Sequence, residues 1–304
     1  MKREDDRYIW RMGVSSDPLI WRPPVEAQSL ILQLTVGCPW NRCLFCSTYK
    51  NKRFNVRKLD EFKRDVFIAK KHFGDKPEKI FLMDANSIAL RTAKLVEACK
   101  FLYETFPNLK GISLYGSARF INRKKSEDFK KLKKAGLTKI YMGLETGDDL
   151  LLNSVNKGVT SKEMITAAEI IRVAGIELSV TIIAGLGGKG SWRRNAKETA
   201  EVLSKMKPDE VRIHNLVLNH NSSLYKKTKT GEFIESSWYE VIEEMRELIK
   251  GLDIDTTIYT HPTTYLNPSL LYGCKLPEDK ERILEILTSA LSSPEVYLQP
   301  ERDF

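Results

Sequence analysis

Apolar positions recur along this chain in two alternating periods. Short runs dominated by Val, Ile, Leu, Phe and Tyr at 30–35, 79–83, 111–115, 139–144, 177–184 and 210–218 predict six strands. The longer stretches between them carry apolar residues three and four apart. In 59–73, for example, Phe62, Val66, Ala69 and Phe73 share one helix face. Further helices are predicted over 92–106, 126–135, 160–174, 193–206 and 238–251. The helix at Ser126 opens on acidic Glu127 and Asp128 and stops at Gly136. Thr160-x-x-Glu163 is a capping box, and Gly175 stops the helix that it opens.

Six strand–helix units in strict alternation imply a parallel sheet with right-handed crossovers. Eight such units close a full barrel, so six predict an α/β fold built as a partial (βα)6 TIM-like barrel. In such folds reactive residues lie on loops at the C-terminal ends of the strands. Residues 1–28, with Trp10, Trp21, Pro23 and Pro24, show no periodicity and read as a short N-terminal arm. The core then spans 29–252. Residues 253–304 form a C-terminal extension packed on it, with a short strand at 256–259 and a helix at 278–291.

Composition changes this picture little. Hydrophobic residues make up 42% and charged residues 29%, as in ordinary globular domains. No run approaches the ~18 apolar residues of a membrane span. The start, MKREDDRYIW, lacks the apolar core of a signal peptide, so a cytoplasmic location is expected. The net charge of +9 suits an anionic partner, yet Lys and Glu interleave along most helices. Such charge governs solubility and encounter rather than fold or chemistry.

The candidate chemistry begins at Gly37-Cys38-Pro39-Trp40-Asn41-Arg42-Cys43-Leu44-Phe45-Cys46, directly after the first strand. Three of five cysteines fall here, spaced C-x4-C-x2-C. A disulfide would leave one thiol over. A structural zinc needs a fourth ligand, and His72 is far along the chain. An iron–sulfur cluster held by three thiolates leaves one iron open to an exogenous ligand. Spacing alone leaves zinc and cluster both open.

With Phe45 directly before the third cysteine, this loop resembles that of the radical S-adenosylmethionine (SAM) superfamily, with one residue more than its usual C-x3-C-x2-C. The core is similar to those of oxygen-independent coproporphyrinogen oxidases and methylthiotransferases. The resemblance implies one 4Fe–4S cluster on Cys38, Cys43 and Cys46, with SAM as its cofactor. It puts Asp84 and Asn86, after the second strand, at the SAM ammonium, and Ser117 after the third strand beside the cofactor. Glu145 and Lys157, in the stretch from Tyr141 to Thr160, would hold the ribose and the carboxylate of SAM. Thr181 faces ribose or adenine on the fifth strand, and Val217 lies by the cofactor on the sixth. These motifs recur in family order over about 28–235, which favours the cluster over zinc.

What the resemblance implies is an enzyme that cleaves SAM reductively to a 5′-deoxyadenosyl radical, using a one-electron reductant such as flavodoxin or ferredoxin. Cys99 and Cys274 are too few for an auxiliary cluster, and no cobalamin or RNA-binding module is expected. Arg119, His220, His261 and Tyr265 are the candidates for the substrate side, while His214 reads as a buried core histidine. A small-molecule substrate is expected. The alternatives are a tRNA-modifying enzyme, to which Lys124–Lys125, Lys130–Lys134 and Lys226–Lys229 would contribute, and a non-catalytic cluster or haem carrier on the same fold.

Overall fold

The computed structural model describes residues 22–50, 52–262 and 264–298. Trp10 and Trp21 of the expected arm lie outside the described residues. The described chain divides into two compact units.

The first unit comprises 22–41, 52–141 and 170–177. It carries β1 (Leu30–Gln33), β2 (Thr35–Val36), β3 (Asn55–Val56), α1 (Leu59–Phe73), β4 (Lys79–Met83), α2 (Thr92–Thr105), β5 (Gly111–Gly116), α3 (Ala118–Ile121) and α4 (Ser126–Lys134). β6 (Leu137–Glu145) begins here and ends in the second unit. Strands β1 and β5 pair in parallel with β4, with Ile31 opposite Phe81 and Phe81 opposite Ser113. The predicted apolar stripe of α1 is buried at Phe62, Val66 and Ala69, and α2 buries Leu95, Ala98, Cys99 and Leu102. Burying such large side chains contributes about 1.5–3 kcal/mol each.

The first predicted strand breaks in two. Leu34 N–H still donates to Met83 O at 3.0 Å, but Thr35 Oγ1 accepts the Asp84 N–H at 3.2 Å. The ladder to β4 has run out there, so Thr35–Val36 turns to pair antiparallel with Asn55–Val56. This tertiary contact overrides the β-branched run.

The second unit comprises 42–50, 142–169 and the described residues from 178 onward. It holds α5 (Asp149–Ser154), most of α6 (Ser161–Val173), β7 (Glu177–Ala184), α7 (Trp192–Met206), β8 (Glu210–Asn215), α8 (Ser223–Lys229), α9 (Trp238–Gly251), β9 (Thr256–Thr260), β10 (Cys274–Leu276), α10 (Lys280–Ser292) and α11 (Pro294–Tyr297). β7 pairs in parallel with β8, and β8 with β9, so the extension adds a seventh parallel strand. β10 closes the edge antiparallel to β9. The sheet order is β1-β4-β5-β6-β7-β8-β9-β10, mostly parallel with helices between strands, as the α/β expectation requires.

The sixth predicted strand stops at Asn215, because its neighbour β7 ends at Ala184. Beyond it, Ser223–Lys229, outside any predicted helix, form helix α8. Ser222 caps it, accepting the Tyr225 N–H at 3.1 Å.

Candidate active site

In the first unit, the C-terminal end of β4 is joined to the start of the cysteine loop. Asp84 is buried, and its Oδ2 accepts the Gly37 N–H at 3.0 Å and Gln33 Nε2 at 3.3 Å. Gly37 has a φ of +74°, a conformation that costs glycine nothing and sets the chain's exit toward Cys38. Asn41 N–H donates to Cys38 Sγ at 3.4 Å. The Arg119 guanidinium stacks on Trp40, 3.9 Å from the ring centroid. Asn86 Nδ2 donates to Ser117 Oγ at 2.8 Å, bringing two predicted cofactor residues together. The Asn86 side chain is buried, yet its Oδ1 has no hydrogen-bond partner.

In the second unit, the backbone around Cys43 is pinned on every side. Arg42 O accepts from Asn156 Nδ2 at 3.3 Å, and Cys43 O from Lys50 Nζ at 2.9 Å. Leu44 N–H donates to Val155 O at 2.9 Å, while Leu44 O accepts the Leu224 N–H at 2.8 Å. Leu44 and Phe45 pack on a buried cluster of Leu151, Val155, Leu186 and Leu224. The cysteine segment and the turn carrying Lys157 are therefore one hydrogen-bonded piece. That turn is tight, with Asn156 and Gly158 both at positive φ.

Lys157 Nζ reaches Glu145 Oε1 at 2.6 Å, and only 13% and 11% of the two side chains is exposed. The pair spans far less than a molecule held at opposite ends. Gly143 leaves the room: a Cβ there would lie 2.1 Å from Glu145 Oε1 and 3.1 Å from Lys157 Nζ. Glu145 itself sits at φ +67°, costly for a non-glycine residue and kept by its surroundings.

Behind this pair lies a buried polar knot. Glu244 on α9 accepts from Gly185 N–H at 3.2 Å and from Asn195 Nδ2 at 2.7 Å. Asn195 Oδ1 accepts in turn from Thr146 and Thr199, and Thr199 Oγ1 takes the Gly147 N–H at 2.9 Å. The knot thus fixes both residues after Glu145 and the glycine after β7. Complete burial pushes the Glu244 carboxyl up to about 8.

Of the remaining predicted residues, Thr181 is half-buried on β7, opposite Arg212 of β8. Val217, His220 and Tyr265 are exposed on loops. His261 follows β9 and stacks on His214 at the end of β8, with ring centroids 4.1 Å apart and planes 17° from parallel. His214 shares its strand face with 210 and 212, alternating with the core residues Val211 and Ile213. None of the five cysteines forms a disulfide, and Cys38, Cys43 and Cys46 are half-buried. Among the described residues, no three His, Cys, Asp or Glu side chains already form a group able to hold a metal ion. Nor is any helix long and apolar enough to cross a membrane.

The Radical SAM superfamily model matches residues 32–203, more than half of the chain. The protein belongs to the radical SAM superfamily, whose members are enzymes that use SAM and a 4Fe–4S cluster. Among curated proteins, 4′-phospho-dehydrooxetanocin synthase of Priestia megaterium is 24% identical over 230 residues, 67% of this chain but 31% of its own length. The chain thus spans about a third of that relative. Among solved structures, coproporphyrinogen III oxidase (HemN) from Escherichia coli superposes with a TM-score of 0.53 at 17% identity, covering 63% of this chain and 44% of that one. Methylornithine synthase (PylB) gives 0.52 at 16% identity, covering 90% and 82%. These likenesses identify the fold, that of the superfamily's TIM-like partial barrels.

Proposed function

We propose that this enzyme holds one 4Fe–4S cluster on Cys38, Cys43 and Cys46 and cleaves SAM reductively, with a small molecule as substrate. The observation that carries the reading is the hydrogen-bonded fastening of the Cys43 segment to the turn of Lys157. It sets a proposed cluster ligand and a proposed SAM ligand in one rigid piece, as catalysis by positioning requires. The donor set fits: three thiols on one loop, none in a disulfide, one already accepting a backbone N–H. When bound, the cluster and SAM together supply a one-electron reduction that releases methionine and a 5′-deoxyadenosyl radical.

The chain's own residues bind and orient. Asn86 Oδ1, a buried acceptor without a donor, suits the SAM ammonium, and Ser117 holds the Asn86 amide in place. Lys157 gives up Glu145 to take the SAM carboxylate, which frees Glu145 for the ribose hydroxyls. Thr181, on β7, is proposed to face the ribose or adenine. Asp84 acts on the cysteine loop through Gly37. Phe45 and Leu44, packed on Leu186 and Leu224, exclude water from their side of the cysteines. Arg119, His220, His261 and Tyr265 remain the proposed substrate side, and a flavodoxin or ferredoxin the proposed electron donor.

Anaerobic reconstitution with iron and sulfide, followed by SAM and dithionite, tests the reading. About four irons per chain and formation of 5′-deoxyadenosine are expected. Tightly bound zinc in place of iron would refute the cluster. A full cluster with no SAM cleavage would leave a carrier on the same fold.

A further inference from the structure

Glu145 keeps a left-handed backbone, which a non-glycine residue holds only where its surroundings over-determine it. The three residues that follow supply that constraint, each fastened to helix α7 within the second unit. Thr146 Oγ1 donates to Asn195 Oδ1. Gly147 N–H donates to Thr199 Oγ1 at 2.9 Å. The buried carboxylate of Asp148 accepts from Arg194 Nε at 2.6 Å. A Cβ at Gly147 would stand 2.4 Å from Glu198 O and 2.6 Å from Thr199 Cα, both backbone atoms of α7. The turn after β6 therefore lies directly on the helix, with no room for a side chain between them.

Asn195 is the hub of this clamp, and its amide fits in one orientation only. Thr146 Oγ1 accepts the Asp148 N–H at 3.0 Å, and Thr199 Oγ1 accepts the Gly147 N–H. Each hydroxyl has its single proton left for Asn195 Oδ1, which turns the amide nitrogen to Glu244 Oε1 at 2.7 Å. Glu145 itself lines a small cavity of about 10 Å³ together with Asn195, Thr199 and Glu244. The clamp thus borders Glu145 as well as the residues after it. It also reaches Lys157. Asp148 Oδ1 caps α5 by accepting the Leu151 N–H at 3.1 Å, and the Lys157 N–H donates to Leu152 O at 2.9 Å.

We propose that Asn195 and Thr199 are positioning residues for SAM, holding the turn after β6 in the course that presents Glu145 and Lys157 to the cofactor together. The proposal rests on the reading that Glu145 and Lys157 bind SAM. Asn195 and Thr199 are each only 3% exposed, so they act through the turn and not on the cofactor. A clamp that only stabilised the fold would leave SAM affinity alone. A clamp that positions Glu145 sets that affinity, and sets it through Glu145.

The test measures SAM affinity of anaerobic, cluster-loaded protein by equilibrium dialysis, with thermal midpoints read in parallel. Thr199→Val keeps the shape of the side chain and loses both hydroxyl bonds, so affinity should fall about tenfold. Thr199→Ser keeps the hydroxyl and should return affinity to within about twofold of the parent. Thr146→Val cuts the other link to Asn195 and should behave as Thr199→Val does, which provides a second variant if the first does not fold. Once Glu145 is gone the clamp has nothing to position. Thr199→Val added to Glu145→Ala should therefore change affinity by less than about twofold. The proposal is overturned if the valine variants bind SAM as the parent does, however far their midpoints fall, or if Thr199→Val and Glu145→Ala act additively. The SAM reading fails by a different pattern: loaded parent that binds no SAM, or Glu145→Ala that binds it undiminished, removes that reading and this proposal with it.

Discussion

Lys157 and Glu145 face each other across Gly143, and the ion pair between them fills the space that a side chain at 143 would take. Each neutralises the other where solvent scarcely reaches. If Lys157 holds the SAM carboxylate as proposed, Lys157→Ala removes one charge-assisted bond, about 1.5–3 kcal/mol, so SAM affinity should fall about ten- to hundredfold. Gly143→Ala should weaken SAM comparably. Its Cβ displaces the tips of flexible side chains rather than backbone, so the thermal midpoint should move little. Equilibrium dialysis with the cluster intact checks both, and an unchanged affinity in Lys157→Ala would take that residue out of the site.

Cys38→Ala, Cys43→Ala and Cys46→Ala should each abolish the four-iron cluster, read by iron content and by the visible absorption of anaerobic protein. Cys99→Ala should not. Cys99 is wholly buried in α2, and burial pushes its thiol up to about 12, so it offers no thiolate.

Asp84→Asn keeps the shape of the side chain but lets its amide face the Gly37 N–H, donor against donor. The cysteine loop should loosen where it leaves β1. Cluster loading should become slower and the cluster more easily lost to chelators, with the protein still folded by circular dichroism. Loading and chelator resistance equal to the parent's would show that Gly37 does not need this anchor.

Glu244 sets a pH dependence of stability. Burial raises its carboxyl to about 8 in the fold, from the ordinary 4.5 that it keeps when unfolded. Between those values the native state binds the extra proton, so the contribution is complete below the lower value and is lost as pH rises through the higher one. Chemical denaturation followed from about pH 5 to 9 should show stability declining with pH by up to about one proton's worth of slope. Glu244→Gln should flatten that decline. A decline that persists in the variant would assign it to another group.

Strands β4 and β7 stand where their apolar runs put them, because nothing outside those runs competes for them. The break after Gln33 was not legible, since it depends on Asp84 reaching back from fifty residues on. Helix α8 was missed because Asn221-Ser222-Ser223 reads as turn chemistry, and it is indeed a turn that the Ser222 side chain converts into a helix start. At the site, spacing brought Cys38, Cys43 and Cys46 forward as candidate metal ligands but left zinc and cluster both open. Glu145 and Lys157 were legible as a pair but not as a contact, because twelve residues of helix and turn had to fold before they met. The stacking of His214 on His261 was not legible either, because only the pairing of β8 with β9 makes the two neighbours.

The guanidinium of Arg119 lying flat on Trp40 also makes the cysteine loop optically readable. An indole two residues from Cys38, shielded on one face by a cation, changes its emission whenever the loop shifts or a light-absorbing cluster forms beside it. Arg119→Ala would uncover that face and alter the signal at its source. The loop carries its own fluorescent gauge, and loading could be followed in real time without any added dye.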